Sequence, residues 1–423
     1  MTRRPHARRR APAPAAAAAL LLPLVAGRAA AQDRLVGTRT VAASALTEAV
    51  WFNGGYTQAG LTGDAAVRVR RAAQFSVPLT AATPLGRAWT VDVTSVYTTS
   101  AVRYDAPFLG GLRRGGTDRV AGFSDLRARL TGRLLDDRVV ITAGLNAPTG
   151  RTRLDSAQLA ATRVFASPGL GLAPPPVGAG PSGTLGLLAA RTVRQWAVAA
   201  GASYERRGTY APVSAIVAGV QSLDFVPGDV LRFSLGGDGL VGRSRLNASL
   251  ALDLFARDRL RGGGIPGATG AIPDATLATV QLGPVLSGDA QLNLAAPAVR
   301  DLVVWGAFRH RTPYRRDGLR VAGTSATYLD GGVRTTAPVT PRLDAFAAAD
   351  VRYSTGLAGG GGIATAFYTT GSLTGGLSRR LGALTAQPFA RAQIGRVRGR
   401  GADRGAVATM RGAAAGLTLL TRF

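Results

Sequence analysis

The 423-residue sequence contains no cysteine, which excludes disulfide frameworks and thiolate metal sites. It contains no lysine either: all 51 basic residues are arginine, against 24 acidic residues. Histidine occurs twice, at His6 and His310. His310 sits between Arg309 and Arg311, a poor setting for the base that would activate a nucleophile, so a surface or rim position is expected for it. Aromatic residues make up 6% of the chain, too few for the large interdigitating side chains of a packed β-sandwich. The longest uncharged run after residue 31, Val164–Ala190, carries Pro168, Pro174, Pro175, Pro176 and Pro181, and five prolines rule out a membrane-spanning helix there. No metal-ligand cluster, no cofactor site and no catalytic residue is expected. Gly237-Asp238-Gly239-Leu240-Val241-Gly242 spells a dinucleotide fingerprint, but that motif works only between a strand and a helix, and here another strand follows.

Residues 1–31 read as a secretory signal peptide. Arg3, Arg4, Arg8, Arg9 and Arg10 precede an apolar stretch from Ala13 to Ala26, and Ala29-Ala30-Ala31 offers small residues for cleavage. The apolar part is short of the roughly 20 residues that span a bilayer. A short periplasmic segment, 32–43, then leads into a single unit, 44–423. Beyond residue 31 the charge is +21, from 45 arginines and 24 acids. The arginines are scattered instead of clustered, which argues against nucleic acid as a partner.

What the chain has in abundance is alternation. Leu246, Ala248, Leu250, Leu252 and Leu254 interleave with Asn247, Ser249, Ala251, Asp253 and Phe255, the period of a strand with one apolar face. Comparable runs recur to the end of the chain. Lipid satisfies no backbone N–H or C=O, so strands persist in it only as a closed barrel. The expected fold is therefore all-β: a transmembrane antiparallel up-and-down β-barrel of about 16 strands (14–18), with spans of roughly 9–11 residues and alternately short and long connections. Turn residues such as Asp136-Asp137, Pro297, and Pro338 with Pro341 mark the short connections. The strands are expected near 44–57, 65–79, 88–103, 120–135, 138–149, 184–192, 195–207, 229–242, 244–257, 276–292, 300–311, 326–337, 342–354, 364–380, 383–398 and 407–423. The even count places both termini in the periplasm of a bacterial cell envelope.

Arginine on the lipid face costs about 2–4 kcal/mol at the midplane, so mid-strand charge is expected to point inward. By parity the pore lining is Arg68, Arg70, Arg127, Arg129, Arg133, Arg232, Arg334 and Arg391, opposed by Asp92, Asp253, Asp344 and Asp350. Such a ring of charge favours anionic or aromatic-acid solutes. Phe255 and Phe346, on otherwise inward faces, hint at an apolar patch in the lumen. Gly150–Gly183, the longest connection, either narrows the channel or forms an outer loop.

One local constellation stands out: Gly122-Phe123-Ser124-Asp125-Leu126, followed by Gly144-Leu145-Asn146-Ala147-Pro148-Thr149-Gly150. It resembles the paired signature of outer-membrane barrels of the phenol-degradation meta-pathway type, related in turn to long-chain fatty-acid transporter-like barrels. Over Gly122–Arg151 the resemblance rests on Gly122, Asp125, Pro148, Thr149 and Gly150, with Ser124 where the family has a second glycine. It implies an outer-membrane carrier of hydrophobic molecules, although 32–43 shows no plug motif. Read from the residues alone, Asp125 is placed to pair with Arg151 or Arg153 at the rim. The last strand resembles the C-terminal strand of outer-membrane barrels, whose terminal residue, here Phe423, is read by the barrel-assembly machinery. Passive uptake of small molecules is thus the expected function, with a structural or surface-interaction barrel as the alternative. The expected partners are outer-membrane lipid, the assembly machinery and a small permeant. An apolar belt would face lipid or a neighbouring subunit equally well, so an oligomer is compatible with it.

Overall fold

In the computed structural model the described residues are 39–58, 67–105, 115–165, 170–173, 177–213, 223–262, 275–296, 299–355, 367–398 and 407–422. The segment read as a signal peptide and Phe423 lie outside them.

Seventeen strand segments form one sheet. They are β1 (Thr40–Gln58), β2 (Val67–Leu85), β3 (Trp89–Asp105), β4 (Gly116–Phe123), β5 (Leu126–Leu134), β6 (Val139–Ala147), β7 (Ser182–Val193), β8 (Trp196–Arg207), β11 (Val230–Val241), β12 (Ser244–Phe255), β15 (Val285–Leu294), β16 (Asp301–Arg311), β19 (Ala326–Thr340), β20 (Leu343–Ser354), β21 (Phe367–Leu381), β22 (Leu384–Arg398) and β23 (Val407–Arg422). Every pairing is antiparallel, and β1 pairs with β23 from Thr40↔Arg422 to Asn53↔Thr409, which closes the sheet. The segments β4 and β5 are two pieces of one span, since β3 pairs with both. The result is a closed 16-strand barrel. β1 begins at Thr40, ahead of the expected residue 44.

Short turns gather at the end of the barrel where β1 starts. At the other end three hairpins continue past the barrel: β9 (Tyr210–Val213) with β10 (Leu223–Val226), β13 (Asp258–Gly262) with β14 (Ala275–Gln281), and β17 (Arg315–Arg316) with β18 (Leu319–Arg320). They pair side by side into a six-stranded outer sheet. The single strand expected at 276–292 is therefore two. Between β14 and β15 stands Pro284, which has no N–H for the ladder; its carbonyl accepts from Thr312 N at 3.0 Å.

Parity divides the wall cleanly. On β20, Asp344, Asp350, Arg352 and Ser354 are buried while Val351, between them, is 61% exposed. On β22, Gln393 and Val397 are buried while Ile394 is exposed. Exposed Leu185, Leu187, Leu373, Leu377, Leu417 and Leu419 belong to the outward set. Glycine, alanine and leucine on that face form the apolar belt that a bilayer requires, and the protein is accordingly a bacterial outer-membrane β-barrel.

Candidate pore and its constriction

The connection between β6 and β7 folds into the lumen. It carries α1 (Ser156–Phe165), the one helix among the described residues, which the strand-based reading did not anticipate. Its start has a local cause. Asp155 Oδ1 accepts from Gln158 N at 2.7 Å and Gln158 Oε1 accepts from Asp155 N at 3.3 Å, a reciprocal cap encoded as Asp-x-x-Gln. Ala161, Val164 and Phe165 share one helix face. They are buried together with Leu170 and Leu172 against Val50, Phe52, Tyr56, Ala72, Val102, Tyr368, Val397 and Met410 of the wall.

Both ends of this loop are held by one carboxylate. Asp125, 3% exposed, accepts from Gly150 N at 2.9 Å, Ala179 N at 2.7 Å and Asn146 Nδ2 at 2.8 Å. Asn146 Nδ2 also donates to Gly180 O at 2.7 Å. A Cβ on Gly150 would lie 2.9 Å from Asp125 Oδ1, and one on Gly178 2.7 Å from it, so both positions need glycine for the backbone to approach. Thr149 Oγ1 accepts from Leu126 N at 2.9 Å, and Ser124 Oγ accepts from Val96 N at 3.0 Å. Within the signature, Asp125, Thr149 and Gly150 thus form a clasp at the loop's base. This corrects the expected rim pairing: Asp125 bonds backbone N–H groups and Asn146, and no ion pair of Arg151 or Arg153 is present among the described residues.

The tip of the loop docks on charge. Arg391, paired with Glu48, donates to Gly171 O at 3.4 Å. Gln393 Nε2 donates to Leu170 O at 3.2 Å. Arg352, 3.1 Å from Asp350 Oδ2 and 3.8 Å from Asp330 Oδ1, lies so close to Gly171 that any Cβ there would collide with its guanidinium. Ser372 Oγ donates to Asp350 at 2.5 Å.

Beneath the tip, toward the short-turn end, lies a cavity of about 240 Å³. Its floor is aromatic: Trp305, Phe346 and Phe389 line it with Leu46, Leu172 and Leu420, joined by Arg334 and Arg391. The rings lie over glycines on adjacent strands, Trp305 over Gly332, Phe346 over Gly376 and Phe389 over Gly416. A side chain at those positions would push the rings off the wall. The Arg334 guanidinium stacks 4.9 Å from the Phe346 ring, and its Nε has no partner among the described residues.

The opposite wall, β5 to β12, is wet. Arg232 pairs with Asp253 at 2.5 Å, yet its side chain is 55% exposed. Arg245 pairs with Asp238 at 2.5 Å and is 53% exposed. Arg129 pairs with Asp92 at 2.9 Å, and Arg127, inward by its pairing with Thr94, is exposed. Arg133 reaches Asp137 in the following turn at 3.3 Å.

Of the residues expected in the lining, Arg127, Arg129, Arg133, Arg232, Arg334, Arg391, Asp92, Asp253, Asp344 and Asp350 thus fall on inward positions. The two exceptions are corrections. A β-bulge between Val69 and Arg71 inverts parity on β2: below it Ala72 and Gln74 are buried, above it Val69 is. Arg68 consequently faces outward at the outer rim, and Arg70, the extra residue, bonds Asp105 at 2.5 Å instead of lining the pore. A bulge has this effect on any strict alternation. The expected lining also lacked Glu48, Asp330 and Arg300, which pairs with Asp344 at 2.8 Å, and did not include Arg352 although parity puts it on the same face as Asp344 and Asp350. Glu48 and Arg352 could have been found, since each lies in register with its strand's polar set. The four acidic residues expected merely to oppose the arginines are each ion-paired, so the lumen carries less free positive charge than the sequence suggests. Of the aromatic pair, Phe346 sits in the cavity while Phe255 lies under Arg207 at 6.0 Å, near the outer sheet. His310 is exposed on the outward face and shares a hydrogen bond with Thr327 Oγ1 at 2.9 Å.

Two carboxylates in the outer sheet are perturbed in opposite directions. Burial raises the Asp258 pKa above its ordinary value, despite Gly228 N at 2.6 Å and Arg207 at 3.1 Å. The backbone N–H of Thr279, at 2.7 Å, holds that of Asp317 below it.

No family model matches this chain, and no curated protein sequence is similar to it. Solved structures are. Pseudomonas putida OprB at high pH is 12% identical with a TM-score of 0.43, the match covering 91% of this chain and 94% of that one. Pseudomonas aeruginosa OccK11 is 14% identical with a TM-score of 0.36, covering 91% and 96%. An outer membrane channel from Pseudomonas putida F1 is 13% identical with a TM-score of 0.30, covering 91% and 96%.

Proposed function

We propose that this barrel is a passive channel for small anionic and aromatic solutes, constricted by the loop between β6 and β7. The observation that carries the proposal is the asymmetry of the lumen. The loop covers one wall, while inward arginines on the other remain half exposed, Arg232 at 55% and Arg245 at 53%, so water reaches the inner surface there. Barrels of 16 or more strands are wide enough to enclose an aqueous path. Inward Arg127 and Arg334, without an ion-pair partner among the described residues, bias the field toward anions.

The aromatic part of the proposal rests on the cavity beneath the loop tip. Three rings with Arg334 and Arg391 at their edge offer a planar carboxylate a stacking surface and a cation together. This setting also agrees with the resemblance to the meta-pathway type of barrel. Single-channel conductance of the refolded barrel in a planar bilayer, under a salt gradient, tests the proposal. A steady anion-selective current that benzoate reduces is expected, with the preference for anions falling in Arg127→Gln. Silence from a folded, heat-modifiable barrel would overturn it and leave a structural or surface-interaction barrel.

A further inference from the structure

The outward face carries a second charged feature, independent of the pore. Arg411 on β23, Trp51 on β1, Arg71 on β2 and Arg103 on β3 occupy one continuous ladder row, paired Arg411↔Trp51, Trp51↔Arg71 and Arg71↔Arg103. Their orientation is unambiguous. Each is exposed and lies next to a fully inward residue: Met410 and Ala72 at 0%, Val50 at 1% and Val102 at 2% exposure. Arg396 and Arg119, also exposed on the outward face, flank the row on β22 and β4.

Arginines directly opposite one another across a strand pair repel. Arg71 and Arg103 nonetheless stand so, and no ion pair of Arg71, Arg103, Arg411, Arg396 or Arg119 is present among the described residues. The rim carboxylate Asp105 is taken by Arg70. Arg71 stacks on Trp51 at 5.3 Å, the pairing of ring and cation that suits a membrane interface. Followed the other way round the barrel, the same row presents Ile394, Gly371, Val351 and Gly331 outward. The basic cluster is therefore local.

Its depth follows from strand geometry. From Leu85, at the short-turn end of β2, to Arg71 is 14 residues (85 − 71). At about 3.3 Å per residue and a tilt of about 40°, that is roughly 35 Å along the barrel axis. Arg103 is likewise 14 residues (103 − 89) from the short-turn end of β3. The apolar belt of such barrels is about 25 Å tall, so Arg71 and Arg103 stand above hydrocarbon, at the height of outer-leaflet headgroups.

We infer that Arg71, Arg103 and Arg411 form a binding site for the phosphate groups of an anionic glycolipid in the outer leaflet, with Trp51 against its sugar or upper acyl region. The test uses the refolded full-length barrel in neutral detergent. Lipopolysaccharide, its dephosphorylated form and phosphatidylcholine are titrated, and bound lipid is read by native mass spectrometry. Phosphorylated glycolipid is expected to bind at least about tenfold tighter than the other two, with that advantage lost in the combined variant Arg71→Gln/Arg103→Gln/Arg411→Gln. Arg206→Gln, an outward arginine on β8 away from the cluster, is expected to bind as the parent does. Equal binding by the triple variant and the parent, indifference to dephosphorylation, or the same loss in Arg206→Gln would each overturn the inference. So would full displacement by millimolar inorganic phosphate, which would make the site one for the free ion. Should the triple variant fail the heat-modifiability check, Arg103→Gln alone must show a weaker version of the same loss, and the triple lysine variant must retain binding.

Discussion

The two walls of this lumen are built from the same alternating strands, yet one is dry and the other wet. On β1–β3 and β20–β23 the inward side chains meet the folded loop, and charges such as Glu48, Asp350 and Arg352 are almost wholly buried. On β5–β12, in ion pairs of the same composition, Arg232 with Asp253 and Arg245 with Asp238, the arginine side chains stay 55% and 53% exposed. The sequence chemistry is alike, and what differs is the solvent that each pair sees. A buried pair holds the loop in place; an exposed pair shapes the field of the lumen and contributes little to stability.

The largest effect expected of breaking that difference is functional. Replacing 152–177 with a short Gly-Ser linker removes the cover from the dry wall, and single-channel conductance should rise several-fold; an unchanged conductance would show that the loop is not the constriction. Next comes the buried pair. Glu48→Ala leaves Arg391 unpaired at the docking point, at an expected cost of about 3–5 kcal/mol, read from the shift in the urea unfolding midpoint. Asp125→Ala strands the donors of Gly150, Ala179 and Asn146 at the loop's base and should cost about 1–3 kcal/mol. It should also open the loop to limited proteolysis while leaving the β-sheet signal intact. On the wet wall, Asp238→Asn should cost less than about 1 kcal/mol and instead move reversal potentials toward anions. If its cost matched that of Glu48→Ala, the distinction between the walls would fall.

The smallest effect expected is on pH dependence, in the outer sheet. Because burial raises the Asp258 pKa above 3.8, the folded state keeps a proton that the unfolded state has lost between 3.8 and the higher folded value. Stability contributed there is present at low pH and declines as pH rises through that window. Asp317, with its pKa lowered, acts in the opposite sense: its contribution is present above its ordinary value and declines as pH falls toward the folded one. Asp258→Asn should therefore flatten the decline in thermal midpoint as pH rises above 3.8.

Much of this molecule was legible beforehand, because a barrel in lipid has so few solutions. Each strand must alternate and every edge must pair, so parity and turn residues were enough to read a barrel of about 16 strands. The errors cluster where an extra interaction interrupts the period. The bulge at Arg70 inverted Arg68, and Pro284 divided one expected strand between two sheets. The capping pair Asp155 and Gln158 started a helix in a stretch read as a loop. Asp125 was given the wrong partners, since nothing local says that Ala179, 54 residues away, returns to the same carboxylate.

The sequence by itself determined the closed barrel and its approximate strand number, for the period of two leaves a strand only one way to hide its polar face from lipid. Only the tertiary structure decided that the helix 156–165 and residues 170–173 turn inward, that Glu48 and Arg391 receive the tip, and that three rings gather beneath it. Those contacts join residues hundreds of positions apart, and they depend on strand stagger and loop path, which no local pattern encodes.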